Sequence, residues 1–451
     1  MNPGQAALGG FIHDLRASEL PAAVMHQARR CLLDLIGVAA AGTGTGMSRI
    51  LRDHAHELSG HARIASRLMF DGRSVGASHA ALVNAGTIDS LDGHDGHRQT
   101  KGHAGAAILP AVLAFIDQTT GQTVEEMLTA LVIGYEIALR AGLALHRTAA
   151  DYHSSGAWNA IGAAAVGARL LGLGHDATLD ALGIAEFSAP RGPMMRSIAH
   201  PTMVKDSTAW GAEAGVSAAF LASRGFTGAP AELLTNAPEA RDLGSRWLIT
   251  EQYFKPYPVC RWAHPAIQAA QTLIGEGLGG PATDNIASVE VITFDAATRL
   301  HTTAPTTTEQ AQYSLPFSLA AAIVHGNVKA EHVLTPQDQN AVLELAAKVR
   351  LTASPAITND FPALRRARVV ISYKDGRVQS TPLTQADGDP EAPLADPALT
   401  AKYRANTSAL GHERSISIAD LVFSSQDEDT SALTDLLMAP VGPASAAAAA
   451  S

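Results

Sequence analysis

Between Ser90 and Gly105 the chain reads Ser-Leu-Asp-Gly-His-Asp-Gly-His-Arg-Gln-Thr-Lys-Gly-His-Ala-Gly. Two carboxylates (Asp92 and Asp95), three imidazoles (His94, His97 and His103), Arg98 and Lys101 stand among four glycines, directly before the apolar run Ala106 to Phe115. Such a polar cluster offers little to a core. Histidine has the side chain whose unperturbed pKa lies nearest neutrality, so several together suggest acid–base work. Arg98 and Lys101 beside them favour a loop that binds an anion and moves a proton. Imidazole and carboxylate are also metal-ligand types, but the spacing matches no specific zinc pattern, and no metal is expected.

Three more segments carry groups of this kind. In Asp151-Tyr-His-Ser-Ser-Gly156, Ser154 or Ser155 can cap the helix that follows, which would set His153 at a helix N-terminus, where an anion is favoured. In Met203-Val-Lys-Asp-Ser-Thr-Ala-Trp-Gly211, Lys205 follows two apolar residues, and a partly desolvated lysine can titrate low or hold a carboxylate. In Phe254-Lys-Pro-Tyr-Pro-Val-Cys-Arg-Trp-Ala-His-Pro265, prolines fix an extended segment that embeds Lys255, Arg261 and His264 among aromatics. Cys260 could serve there as a nucleophile with His264 as its base, although a buried packing cysteine is the plainer reading.

The elements that must position these groups follow from periodicity. Up to about residue 280 the chain reads as helices: 22–41, 108–117, 124–146, 157–173 and 177–187, dense in alanine and glycine, which lets helices approach closely. After that, 286–294 is β-rich, and 368–372 with 378–381 reads as a hairpin about Asp375-Gly376. Helical runs at 314–325 and 337–348 lie between them. The fold class expected is mostly α with an α+β second domain: a helical bundle over 1–265, to which 400–440 returns, and a smaller α+β lid over 266–399. The tail 441–451, ending in an alanine run, reads as disordered.

The chain has 451 residues, of which 46% are hydrophobic and 17% charged, with a net charge of −10. That composition describes an ordered protein and argues against nucleic-acid binding. Two cysteines, Cys31 and Cys260, cannot by themselves hold an iron–sulfur cluster. No signal peptide or membrane span is read, so a cytoplasmic protein is the expectation.

Taken in order, the segments resemble the MmgE/PrpD family of 2-methylcitrate dehydratases, cis-aconitate decarboxylases and iminodisuccinate epimerases. Phe11-Ile-His-Asp-Leu-Arg and Ala28-Arg-Arg-Cys-Leu-Leu-Asp-Leu-Ile-Gly look like its opening helices. Leu91-Asp-Gly-His-Asp-Gly-His-Arg with Gly102-His-Ala-Gly looks like its acidic-histidine signature. Phe254 to Pro265 is the most specific match, and Ala311-Gln-Tyr-Ser-Leu-Pro-Phe the last. Some positions depart from the pattern. Ala104 replaces a usual proline, Gly96 stands where some members carry a Thr or Ser hydroxyl, and Cys260 replaces a His of some decarboxylating members.

The resemblance implies a helical domain with an α+β lid, a homodimer, no organic cofactor, and a small polycarboxylate bound between the domains. It points to Asp92, His103, His153, Lys205 and Lys255 as pocket residues. The common chemistry is proton movement at carbon next to a carboxylate, which needs cations for the developing charge and a base of matched pKa. His103 and His153 are the candidate acid and base, with Lys205 and Asp92 completing the catalytic set. Lys255, Arg261, His97 and His264 are the candidate substrate-binding groups. The expected activity is that of a cofactor-free lyase acting on a di- or tricarboxylic acid by dehydration or decarboxylation. An epimerase inverting a carbon next to a carboxylate is the alternative. A metal-dependent hydrolase built on His94, His97 and His103, or a non-catalytic binding protein, would be further readings.

Overall fold

A computed structural model describes residues 3–117, 119, 121–278, 280–423 and 429–442. The first part is built chiefly from helices α1 (Pro3–Asp14), α2 (Ala22–Gly42), α3 (Gly46–Ser59), α4 (Ala77–Asp89), α5 (Gly105–Ile116), α6 (Val124–Thr148), α7 (Gly156–Leu170), α8 (His175–Ser188), α9 (Met194–Ala199) and α10 (Thr208–Ala222). The core of this body is α5 packed on α4, α6 and α7, with α10 laid across α4 and α7. Every residue of α5 is buried.

Small residues set how close these helices come. A Cβ on Gly211 would lie 2.7 Å from the Gly156 Cα, so only glycine lets α10 cross the start of α7 at this distance. That crossing brings the segments before the two helices together, and those segments hold Ser155 and Asp206. Helix α6 is long and apolar enough to cross a membrane, but 94% of its most apolar window is packed inside the protein.

The helical part also contains two small strand pairs that the all-helical expectation did not include. Strand β1 (Ala65–Arg67) pairs with β2 (Ser74–Gly76), and β3 (Gly96–His97) pairs with β4 (Gln252–Tyr253). Strands of two or three residues are too short to show alternation. The β3–β4 pair matters most, because it ties the acidic-histidine loop to the Phe254–Pro265 segment.

The second part is a mixed sheet of β5 (Ile286–Thr293), β6 (Val349–Ala353), β7 (Arg366–Tyr373), β8 (Val378–Ser380) and β9 (Thr384–Gln385). The order is β6-β5-β7-β8, with β9 also on β7; β5 runs parallel to β6 and antiparallel to β7. The expected hairpin is present as β7–β8, with Gly376 at φ 89° in its turn. Helix His264–Gly275 packs on β7, β9 and helix Leu315–His325. The chain then turns back: helix Asp396–Asn406 lies against α2. There the Lys402 ammonium donates to the Gly93 carbonyl at 2.6 Å and pairs with Asp34. The final stretch divides into helices His412–Phe423 and Thr430–Met438. Most of the tail expected to be disordered, 443–451, lies outside the described residues.

Candidate active site

A cleft of about 360 Å³, counted with its open mouth, lies between the helical body and the α+β part. Its walls come from the 90–104 loop (Asp92, Lys101, His103), the segments before α7 and α10 (Tyr152, Asp206), the 253–262 segment, Tyr313 and Arg365.

The backbone here is unusual. Five described non-glycine residues have φ between 51° and 58°, and four of them, Asp92, Lys101, Lys205 and Ser207, belong to these segments. Left-handed backbone costs an L-residue of order 1 kcal/mol or more, and such residues persist only where surrounding contacts over-determine them.

At one end of the cleft the Lys255 ammonium donates to Asp92 Oδ1 at 2.6 Å and to the Asp92 carbonyl at 3.1 Å. Burial alone would raise the Asp92 carboxyl, but Lys255, and after it Lys205, outweigh burial and hold its pKa well down. Burial likewise works against charge on Lys255, and Asp92 outweighs it, leaving the lysine raised. The pair is therefore a fixed, charged unit.

His103 is the side chain best placed to handle a proton. Its Nδ1 lies 2.8 Å from the Asp95 carbonyl oxygen, a contact only a protonated Nδ1 can make, so Nε2 carries the free lone pair. Nε2 faces Asp206 Oδ2 at 3.7 Å. Burial, then the positive charge of Lys255, keeps the imidazole pKa well below 6.5, so at neutral pH it is an uncharged base. Asp206 is fixed from two sides: Ser155 Oγ donates to Oδ2 at 3.0 Å and the Tyr313 hydroxyl donates to Oδ1 at 3.1 Å. Burial raises its pKa. Ser155 does precede α7, as expected of a cap, but its hydroxyl caps nothing. It accepts from the His103 backbone N–H and donates to Asp206.

Gly96 acquires a physical reason. A Cβ there would sit 2.5 Å from the Tyr253 hydroxyl and 2.7 Å from His103 Nδ1. The phenol of Tyr253 fills the space that a Ser or Thr side chain at position 96 would need.

Of the eight site residues expected from sequence, Asp92, His103, Lys255 and Arg261 line this cleft. The Lys205 ammonium stands behind its wall, bonded to Gln312 Oε1 at 2.6 Å and lying over the Tyr313 ring. His264 is buried behind Arg261, with Nε2 on the Val259 carbonyl and Nδ1 facing the guanidinium. Two residues fall elsewhere. His97 turns away to Glu251, 3.4 Å from its Nε2, and its Nδ1 accepts from the Thr100 N–H, so it braces the loop. His153 does not line the cleft. Its backbone bridges to Pro193, and neighbouring side chains on an extended backbone point to opposite sides, so Tyr152 enters the cleft and His153 turns to the Asp151 carbonyl.

The cysteine-nucleophile reading also fails. Burial pushes the Cys260 thiol up to about 12, and His264 bonds to Val259 instead of the sulfur. His94 packs edge-on against His103 at 4.4 Å, whereas His97 faces Glu251, so the three loop imidazoles share no centre. Among the described residues no group of three or more His, Cys, Asp or Glu side chains is placed to hold a metal ion.

Behind His103 lies a titrating carboxyl. Asp95 accepts from the Tyr135 hydroxyl at 3.0 Å through Oδ2, while Oδ1 has no partner among the described residues. Burial, with the Asp34 charge next, pushes it from 3.8 up to about 7. The fold thus favours the neutral acid. This contribution to stability is complete below about pH 4 and is lost as the pH rises through 7. Asp95→Asn mimics the neutral form. Thermal denaturation should show the variant already more stable than wild type at pH 5.5, and by about twice that margin, several degrees, at pH 8.5. An unchanged difference between the two pH values would mean that Asp95 is ionised throughout.

The MmgE/PrpD N-terminal domain matches residues 6–243 and the MmgE/PrpD C-terminal domain matches residues 257–425. The chain belongs to the MmgE/PrpD family. Among curated relatives, cis-aconitate decarboxylase of Aspergillus terreus is 25% identical over 95% of this chain and 94% of its own length. The Mus musculus cis-aconitate decarboxylase is 26% identical over 96% of this chain and 93% of its own. A cis-aconitate decarboxylase-like protein of Aspergillus oryzae, oryM, is 26% identical over 90% of both.

Proposed function

We propose that this protein is a carboxy-lyase acting on a tricarboxylate of the cis-aconitate type, with His103 as the proton-transfer group. The observation that carries this reading is the free Nε2 of a neutral, rigidly held imidazole in a cleft whose walls also bear Lys101, Lys255, Arg261 and Arg365. Relatives matching almost end to end are cis-aconitate decarboxylases, which supports the same class.

Breaking the C–C bond releases CO2 and leaves its electron pair on carbon, conjugated with the remaining double bond and carboxylate. Cations stabilise that charge, and a proton must then reach carbon. Burial first and the charge of Lys255 second depress His103; an arriving polyanion opposes both by favouring the charged imidazolium, which raises the pKa of His103 in the complex and lets Nε2 deliver a proton. Water returns the proton. His103 and Asp206 stand 3.7 Å apart on one wall, which suits delivery to one face; epimerisation would need a donor and an acceptor on opposite faces. The family resemblance further supports a homodimer that needs no organic cofactor. Sedimentation velocity measures the first of these directly.

The test is to incubate the purified chain with cis-aconitate in D2O and follow the mixture by proton and carbon NMR. Loss of CO2 with one deuterium placed on carbon is the expected result. Deuterium entry without loss of CO2 or water would favour the epimerase, and release of water from a hydroxylated tricarboxylate alone would favour the dehydratase.

A further inference from the structure

The buried cations of the cleft differ in how they are paired. Lys255 carries Asp92. Arg261 carries Asp389 at 3.0 Å and also bonds the carbonyls of Asp387 and Ala386. Arg365 has no such partner. It is 2% exposed, its Nη2 donates to the Arg98 carbonyl at 3.3 Å, its side chain interacts with the Tyr253 phenol, and its Nε and Nη1 meet no acceptor among the described residues. Its guanidinium lies 5.3 Å from the centre of the Tyr253 ring, at the cleft wall. A buried guanidinium without a counter-charge is unfavourable, and an anion with oxygens in its plane relieves that.

A second unpaired cation stands on the same cleft. Lys101, held at φ 52°, has its ammonium 4.5 Å from the centre of the Tyr152 ring and no carboxylate within ion-pair distance among the described residues. Burial lowers its pKa, and the charge of Arg365 lowers it further. Two like charges are thus held within electrostatic reach of each other, and neither has a carboxylate at ion-pair distance among the described residues.

We propose that Arg365, supplied by the α+β part just before β7, and Lys101 of the loop form the subsite that holds a substrate carboxylate remote from the reacting carbon. The guanidinium takes the carboxylate through an N–H that now has no acceptor, at Nε or Nη1, and the ammonium closes over it. Because one cation comes from each part of the protein, a bound carboxylate also ties the two parts together across the cleft. The subsite selects acids with at least two carboxylates. This inference rests on the polycarboxylate reading above, and its test separates the two.

The probe is tricarballylate, a saturated tricarboxylate with no bond to break, titrated calorimetrically into the full-length protein. Arg365→Gln and Lys101→Gln should each weaken binding by about tenfold or more, as loss of a charge-assisted hydrogen bond does, and Arg365→Lys should recover part of the loss. With cis-aconitate as substrate, the same variants should raise KM far more than they lower kcat. If Arg365→Gln does not fold, Lys101→Gln, half-buried at the mouth, carries the test alone. Unchanged affinity in the folded variants overturns the subsite and leaves the lyase reading standing. A wild-type protein that binds tricarballylate through Arg365 yet does not decarboxylate cis-aconitate keeps the subsite and removes the lyase reading. A wild-type protein that binds no polycarboxylate removes both.

Discussion

Replacing His103 with asparagine is expected to lower kcat on cis-aconitate by about two to four orders of magnitude, the usual contribution of a positioned acid–base group. The variant should stay folded. An Asn amide can still donate to the Asp95 carbonyl that His103 Nδ1 now holds, and the His103 backbone N–H remains bonded to Ser155. What is lost is the Nε2 lone pair facing the cleft. Circular dichroism and a melting temperature close to wild type would show that the fold survives. A rate within tenfold of wild type would move proton transfer to another group. Exchange of solvent deuterium into substrate or product should collapse along with kcat, because one atom carries both.

The second large effect is on stability. Lys255→Met removes the partner of a carboxylate that is 3% exposed. Breaking a buried pair on one side costs about 3–5 kcal/mol, because the remaining charge is left without compensation. The double variant Asp92→Asn with Lys255→Met removes both charges and should regain a large share of that loss, read as non-additivity in a double-mutant cycle. Simple addition of the two single effects would show that Asp92 and Lys255 are not coupled. Neither the single nor the double variant should retain much activity, since the charged unit at that end of the cleft is gone in both. Recovery of stability without recovery of turnover is the signature of a pair kept for function.

Much of this was legible from residues alone. Periodicity located α2, α5, α6, α7, α8 and the Asp-Gly hairpin but not α3 or α4, and the composition of residues 90–105 and 254–265 marked two segments that the cleft draws on, the first of which holds β3 and the second of which directly follows β4. Side-chain direction was not legible. Lys205 and Ser207 adopt left-handed backbone, so spacing cannot say which of the neighbours Lys205 and Asp206 faces the cleft; it is Asp206. The bridge to Pro193 exchanges Tyr152 for His153 in the same way. Arg365 carried no local signal, because its significance lies in what it lacks, and a missing partner exists only in three dimensions. Tyr253 had one trace in the sequence, the glycine at position 96 that makes room for its phenol.

The bond from Lys402 to the Gly93 carbonyl has a bearing on biosynthesis. The turn bearing Asp92 is gripped by a residue translated some three hundred positions later, so a polypeptide still emerging from the ribosome could complete most of the bundle while that turn was unsecured. Catalytic competence would then arrive late and abruptly, once the returning helix had been made, and shortened products lacking that helix would be folded in large part yet inert.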